Sequence, residues 1–273
     1  MPDLLINADL VADILFKFVH DEVLKVNAKG VVVGISGGID SALSAKLAVE
    51  ALGVTAVTGL ALPYRESTPS SLEDARLVAG ELGIELLVSE ITPQIDAYFS
   101  RFPDASATRR GNKMARERMS ILYDISATRS ALVLGTSNKS ELLLGYSTLW
   151  GDGAHALNPL GDLYKTQVFQ LARHLNLPPQ IVAKVPSADL FAGQSDEADL
   201  GFTYEVADRI LFHLIDERRS PAELAELGLD PDLVAVVWQR VRGSQFKRRP
   251  PLIAKLSGRS VGQDFRYPRD WGH

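Results

Sequence analysis

The run Val31-Val32-Val33 is followed by Gly34-Ile35-Ser36-Gly37-Gly38-Ile39 and then by Asp40-Ser41, and no other stretch constrains this chain more. Val, being β-branched, favours a strand, paired glycines permit positive φ and close backbone approach, and the apolar spacing from Ala42 to Leu52 is helical. The unit is therefore strand, tight turn, helix. Its turn brings backbone N–H groups and the positive end of a helix dipole to one point, which suits a phosphate anion. Ser36 and Ser41 add hydroxyl donors. Asp40 would repel phosphates unless a divalent cation lay between, so its position predicts a Mg²⁺ ligand; the plainer alternative is a helix cap.

The two commoner phosphate loops are excluded by spacing. Walker A ends in Gly-Lys-Ser/Thr, which is missing here, and the dinucleotide fingerprint G-x-G-x-x-G does not fit glycines at 34, 37 and 38.

At 273 residues the chain suits one large α/β domain or at most two small ones. No uncharged apolar run reaches the ~18 residues of a membrane span, and Met1 to Leu10 lacks the basic start of a signal peptide, so the expected location is cytoplasmic. A net charge of −5 argues against a broad nucleic-acid surface. With no cysteine, disulfides, thiolate metal sites and cysteine nucleophiles are all excluded.

Along the chain, Leu4 to Val26 carries Val11, Ile14, Leu15, Phe18 and Val19 as one apolar helical stripe. Strand runs then alternate with helix patterns: Val54 to Leu62, a helix from Thr68-Pro69 to Gly83, and Ile84 to Val88. This β-α-β-α-β rhythm predicts a parallel sheet. The stretch Phe102 to Gly111 reads as a mobile loop and Gly111 as the opening of a helix to about Ala127, with an Arg-rich first turn that a nearby anion would offset; screening by Glu117 and water is the plainer alternative. Ala131 to Leu134 is a further strand, and Glu141 follows it in the first turn of a short helix, where α/β ligand sites form. A dipole-favoured Glu is the bland alternative there. A helix starts at Tyr164, Pro186 to Gly201 lacks periodicity and reads as a lid, and three helices follow near Thr203–Asp216, Ser220–Glu226 and Asp230–Val241.

Ser36-Gly37-Gly38-Ile39-Asp40-Ser41 resembles the S-G-G-x-D-S pyrophosphate loop of the ATP pyrophosphatase superfamily. Within it, the chain is similar to the NAD⁺ synthetases over nearly its whole length. The matching pieces are Gly34 to Ser41, Lys113 to Arg118, Gly135-Thr136 through Glu141, Gly151-Asp152-Gly153, Leu163-Tyr164-Lys165, Pro186 to Leu190, Gln194 to Glu197 and Lys247-Arg248. Leu149, Ala156 and Phe246 depart from the pattern, standing where many members carry Lys, an acidic residue and His.

The resemblance implies an adenine nucleotide alpha hydrolase-like fold with a five-stranded parallel sheet between helices. It implies an N-terminal helix over 4–27, an ATP pyrophosphatase core over 28–185, and a lid with C-terminal helices over 186–273. The implied reaction is ammonia-dependent, ATP-dependent amidation of deamido-NAD⁺ to NAD⁺ through an acyl-adenylate, releasing AMP and pyrophosphate. Gly34, Ile35, Ser36, Gly37, Gly38, Ile39, Asp40, Ser41, Thr136, Lys165 and Ser187 would bind ATP. Asp40 and Glu141 would hold Mg²⁺ and, with Lys165, form the catalytic group, while Arg116, Asp152 and Lys247 would contact deamido-NAD⁺. The active form would be a homodimer. A GMP synthetase-like amidoligase and a non-catalytic nucleotide sensor remain the alternatives. Independently of family, a chain without Cys, in which removal of Met1 would expose Pro2, is expected to use free ammonia or ammonia from another subunit.

Overall fold

In the computed structural model, residues 4–187, 195–262 and 264–265 are described. The chain begins with helix α1 (Ala8–Leu24), strand β1 (Val31–Gly34), α2 (Ile39–Leu52), β2 (Val57–Ala61), α3 (Pro69–Leu82) and β3 (Glu85–Val88). It continues with α4 (Thr92–Phe99), α5 (Ala107–Arg129), β4 (Leu132–Leu134), α6 (Lys139–Leu144), α7 (Lys165–His174) and α8 (Pro179–Ala183). The C-terminal part contains α9 (Asp196–Leu200), α10 (Tyr204–Leu211), α11 (Pro221–Glu226) and α12 (Pro231–Gly243).

The four strands pair in parallel in the order β3-β2-β1-β4. β1 lies in the middle, Val31 opposite Val57 on one side and Leu132 on the other. Because side chains alternate along a strand, Val31 and Val33 enter one apolar core with α1, α2, α3 and α7, while Val32 enters another against α4 and α5. A third core joins α10, α11 and α12 to Leu144 of α6 and to Tyr164.

The expected fifth strand is reduced to one parallel bridge, Leu134 to Leu157, so the described sheet has four strands. Ala156 N donates to Val133 O at 2.9 Å and Gly135 N to Leu157 O at 2.8 Å. Pro159, two residues on, has no N–H with which to continue a ladder.

Helix α5 also starts earlier than the sequence suggests. Ser106 Oγ accepts from Arg109 N at 3.3 Å as its N-cap, so residues 107–111 are helical rather than loop. The first turn is therefore Ala107 to Arg110, and Arg116 and Arg118 lie well inside the helix, beyond the reach of its dipole. The α1 stripe divides as well. Ala12, Val19 and Val23 are buried, whereas Leu10, Ile14 and Phe18 are exposed. The acidic end of the expected lid forms α9, capped by Ser195, and residues 188–194 of that stretch lie outside the described residues.

Candidate active site

A cleft of about 1210 Å³ opens at the C-terminal ends of β1, β2 and β4. Chain direction around the sheet changes between β1 and β4, since β1 is followed by β2 on one side while β4 arrives on the other. Loops after adjacent parallel strands diverge at such a point and leave a crevice. Here they are residues 35–38, leading into α2, and 135–138, leading into α6.

The first loop is tied by its own hydroxyls. Ser36 N donates to Ser41 Oγ at 3.2 Å, Gly38 N donates to Ser36 Oγ at 3.2 Å, and Ser41 Oγ donates to Gly38 O at 3.0 Å. Gly37 has φ +77°, and a Cβ there would stand 2.6 Å from Ser71 O and 2.8 Å from Asp74 Cβ. Only glycine allows the turn and its contact with α3.

The second loop is organised by Asn138, which is fully buried. Its Oδ1 accepts from Glu141 N at 3.0 Å, its own N donates to Glu141 Oε2 at 3.2 Å, and its Nδ2 donates to Asp40 Oδ1 at 2.9 Å. This is a capping box whose cap residue also holds a side chain from α2. Lys165 completes the group from the start of α7. Its Nζ, in a residue 1% exposed, donates to Asp40 Oδ2 at 2.5 Å and Glu141 Oε1 at 3.3 Å and lies 5.1 Å from the centre of the Tyr204 ring.

The electrostatics follow from this closeness. Desolvation, then the Asp40 charge, raise the pKa of Glu141, against Lys165 and the Asn138 amide, which lower it. For Lys165, burial disfavours the ammonium, but Asp40 and Glu141 more than offset it and raise its pKa. Two carboxylates converging on one point provide hard oxygen donors, a set that fits Mg²⁺ with phosphate oxygens and water as its other ligands.

Every residue expected at ATP lines this cleft except Gly37, whose role is in the turn; Thr136, Lys165 and Ser187 are included. Asp152 and Lys247 also line it. Asp152 Oδ1 accepts from Thr148 N at 2.8 Å; although solvent reaches it, the surrounding protein raises its pKa, against the backbone bonds and the charges of Lys247 and Arg118. Lys247 Nζ donates to Gly145 O at 2.7 Å and Ser147 O at 2.6 Å, and burial lowers its pKa. Arg116 is different: it does not line the cleft, and its Nε donates to Leu149 O at 3.1 Å on the exposed side of α5. Arg118, two positions later, does line it and donates to Leu62 O at 2.9 Å.

Three residues in or behind the cleft wall escaped the sequence reading. Asn138 had a usable signal, an Asn three residues before a Glu. Lys184, which lines the cleft and pairs with Asp74 at 2.7 Å, had none beyond its charge. Asp208 is a fully buried carboxylate reached only by tertiary folding.

Residues 11–251 match the family model described as NAD synthase. The chain is 55% identical over 272 residues to the NH(3)-dependent NAD(+) synthetase of Trichlorobacter lovleyi, covering 100% of each. Among solved structures it is similar to an NH3-dependent NAD synthetase from Campylobacter jejuni, with 36% identity, a TM-score of 0.79, and 92% of this chain and 100% of that one covered. It is also similar to an NMN synthetase from Francisella tularensis, with 32% identity, a TM-score of 0.81, and 91% and 99% covered.

Proposed function

Since the chain belongs to the NAD synthase family, we propose that the cleft carries out the amidation of deamido-NAD⁺ to NAD⁺ by ammonia, with ATP converted to AMP and pyrophosphate. The observation that carries the site assignment is the convergence of Asp40 and Glu141 on Lys165 beside the Ser36 to Ser41 loop. The substrate's pyridine carboxylate is a poor electrophile because ammonia would have to expel oxide. One of its oxygens therefore bonds to the α-phosphorus of ATP as the bond to the bridging oxygen breaks and pyrophosphate leaves. Ammonia nitrogen then bonds to the acyl carbon, AMP leaves with the shared oxygen, and the nitrogen loses a proton.

The protein's part is to orient two anions and stabilise charge on the leaving group. The turn at Gly37-Gly38 and the hydroxyls of Ser36 and Ser41 would bind the terminal phosphates, with Lys165, as a fixed positive charge, and Ser187 also on the phosphates and Thr136 at the nucleotide. Asp40 and Glu141 would hold Mg²⁺, which when bound supplies neutralisation of the pyrophosphate oxygens. Asp152 and Lys247 would face the dinucleotide. Arg116 would meet it only beyond the cleft, at a surface completed by a second copy. The exposed Leu10, Ile14 and Phe18, spaced four residues apart on α1, support such a homodimer, as does Tyr123 on α5. Among the described residues no helix is long and apolar enough to cross a membrane.

The test is a panel of deamido-NAD⁺, nicotinic acid mononucleotide and xanthosine monophosphate, each with Mg-ATP and ¹⁵N-ammonium or glutamine. The expected result is ¹⁵N-labelled NAD⁺ with equimolar AMP and pyrophosphate, and no activity with glutamine. ADP and phosphate as products, preference for another acceptor, or ATP binding without pyrophosphate release would overturn the proposal.

A further inference from the structure

Helices α6 and α7 each contribute one charged group to the site, Glu141 from the first and Lys165 from the second, and both groups sit in the opening turn. The two turns are joined by one polar relay. Lys165 N donates to Ser140 Oγ at 2.9 Å, Ser140 Oγ donates to Asp208 Oδ1 through a short bond, and Thr166 N donates to Asp208 Oδ2 at 2.8 Å. Asp208 belongs to α10 and has no solvent exposure.

The first N–H groups of a helix need an acceptor from outside it. The usual source is the N-cap side chain, but Tyr164, in that position on α7, turns its hydroxyl to Asp216 Oδ2 at 2.8 Å. Ser140 and Asp208 take over for Lys165 N and Thr166 N. One carboxylate thus uses its two oxygens to hold the start of α7 directly and, through the hydroxyl just before Glu141, the start of α6. A sideways shift of either helix start would change the distance between the Glu141 carboxylate and the Lys165 ammonium.

We propose that Asp208 is a positioning residue for the adenylation step, fixing through Ser140 and Thr166 the mutual placement of Glu141 and Lys165. This rests on the function proposed above. A hydroxyl could cap one helix, but a planar group with a polar atom at each end is what couples two. Burying a carboxylate is costly even when it is hydrogen-bonded, so an apolar residue with an ordinary cap would make the more stable fold. The cost is accepted directly against the two opening turns that carry Glu141 and Lys165.

The test compares Asp208→Leu, Asp208→Asn and Ser140→Ala with the wild type. Asp208→Asn can still accept from Thr166 N and can donate to Ser140 Oγ, so it keeps the link; Asp208→Leu cannot, and Ser140→Ala removes the relay while leaving the carboxylate. Expected for Asp208→Leu are a kcat reduced ~100-fold, a KM for deamido-NAD⁺ within ~3-fold of normal and a half-saturating Mg²⁺ concentration raised ~10-fold, with Asp208→Asn recovering to within ~5-fold of wild type. Ser140→Ala should lower kcat ~10-fold. Hydrogen exchange of peptides over 139–144 and 165–170, measured on the protein alone, should quicken in both Asp208→Leu and Ser140→Ala.

If Asp208 served stability only, the variants would lose thermal stability while the folded fraction kept its kcat and Mg²⁺ response, and that result overturns the proposal. So would unchanged exchange at 165–170 in Ser140→Ala, which decides the matter should Asp208→Leu fail to fold. A wild type that makes no NAD⁺ would instead sink the function assigned to the cleft, leaving the exchange result to report on the relay by itself.

Discussion

Lys165 Nζ stands 2.5 Å from Asp40 Oδ2 although 125 positions separate the two residues, and the same ammonium reaches Glu141 at 3.3 Å. The lysine therefore neutralises a pair of half-buried carboxylates that would otherwise face each other. Its removal leaves uncompensated charge in the interior, a change that typically costs ~3–5 kcal/mol. Lys165→Met should accordingly unfold at a lower temperature, and millimolar Mg²⁺ should restore much of the loss by taking the place of the ammonium. Thermal shift with and without Mg²⁺ is the measurement; a loss indifferent to the metal would mean that the carboxylates do not form a cation site.

Asp40→Asn and Glu141→Gln preserve shape while each removes one charge from this pair. Turnover should fall by ~10²-fold or more in both, with little change in circular dichroism. Near-normal turnover at saturating Mg²⁺ would reduce Asp40 and Glu141 to helix-start residues.

Gly37→Ala tests the turn. The alanine backbone would have to hold a φ near +77°, and its methyl would meet Ser71 O at 2.6 Å. Strain of this kind costs ~1–3 kcal/mol, and it falls on the loop assigned to the phosphates. The expected outcome is weaker ATP binding by calorimetry together with a lower melting temperature. Unaltered ATP affinity would show that the loop conformation is not needed for the nucleotide.

Burial raises Asp208 from an ordinary carboxylate pKa of 3.8 to about 6, against bonds from Ser140 and Thr166 that lower it. Between those two values the folded protein binds a proton that the unfolded chain has released. Asp208 therefore makes its largest favourable contribution below pH 3.8 and loses it progressively as pH rises to about 6. The change amounts to roughly 3 kcal/mol at most by linkage. Asp208→Asn does not titrate, so the difference in unfolding free energy between variant and wild type should shift in the variant's favour from pH 4 to pH 6.5. A difference constant across that range would mean that Asp208 has no raised pKa.

Local features of the site were legible in the sequence, and those made by folding were not. Gly37, Asp40 and Glu141 announce themselves because turn chemistry and helix starts depend on residues a few positions apart. Arg116 and Arg118 show the limit: two positions on a helix differ by about half a turn, and only packing of α5 decides which faces the cleft. The opening of α5 was missed because Gly111 and the polar residues before it resemble a loop, while the signal that decides it is the single cap at Ser106. The fifth strand failed for a backbone reason at Pro159, although Leu157 has the apolar character of a strand residue. The relay from Lys165 through Ser140 to Asp208 spans sequence separations of 25 and 68 residues, and no local pattern joins them.

Because ribosomes deliver chains from the N-terminus, the order of these parts is also an order in time. The turn assigned to the phosphates emerges early with Asp40 beside it, Glu141 and Lys165 follow, and α10 with Asp208 arrives only after α7 and α9 have been made. A nascent chain halted before α10 thus carries Asp40, Glu141 and Lys165, though not Lys247, without the cross-brace between the two helix starts. Under the role proposed for Asp208, polypeptides that lack α10 are poor consumers of nucleotide, and the capacity to spend ATP is switched on only once that helix has been made.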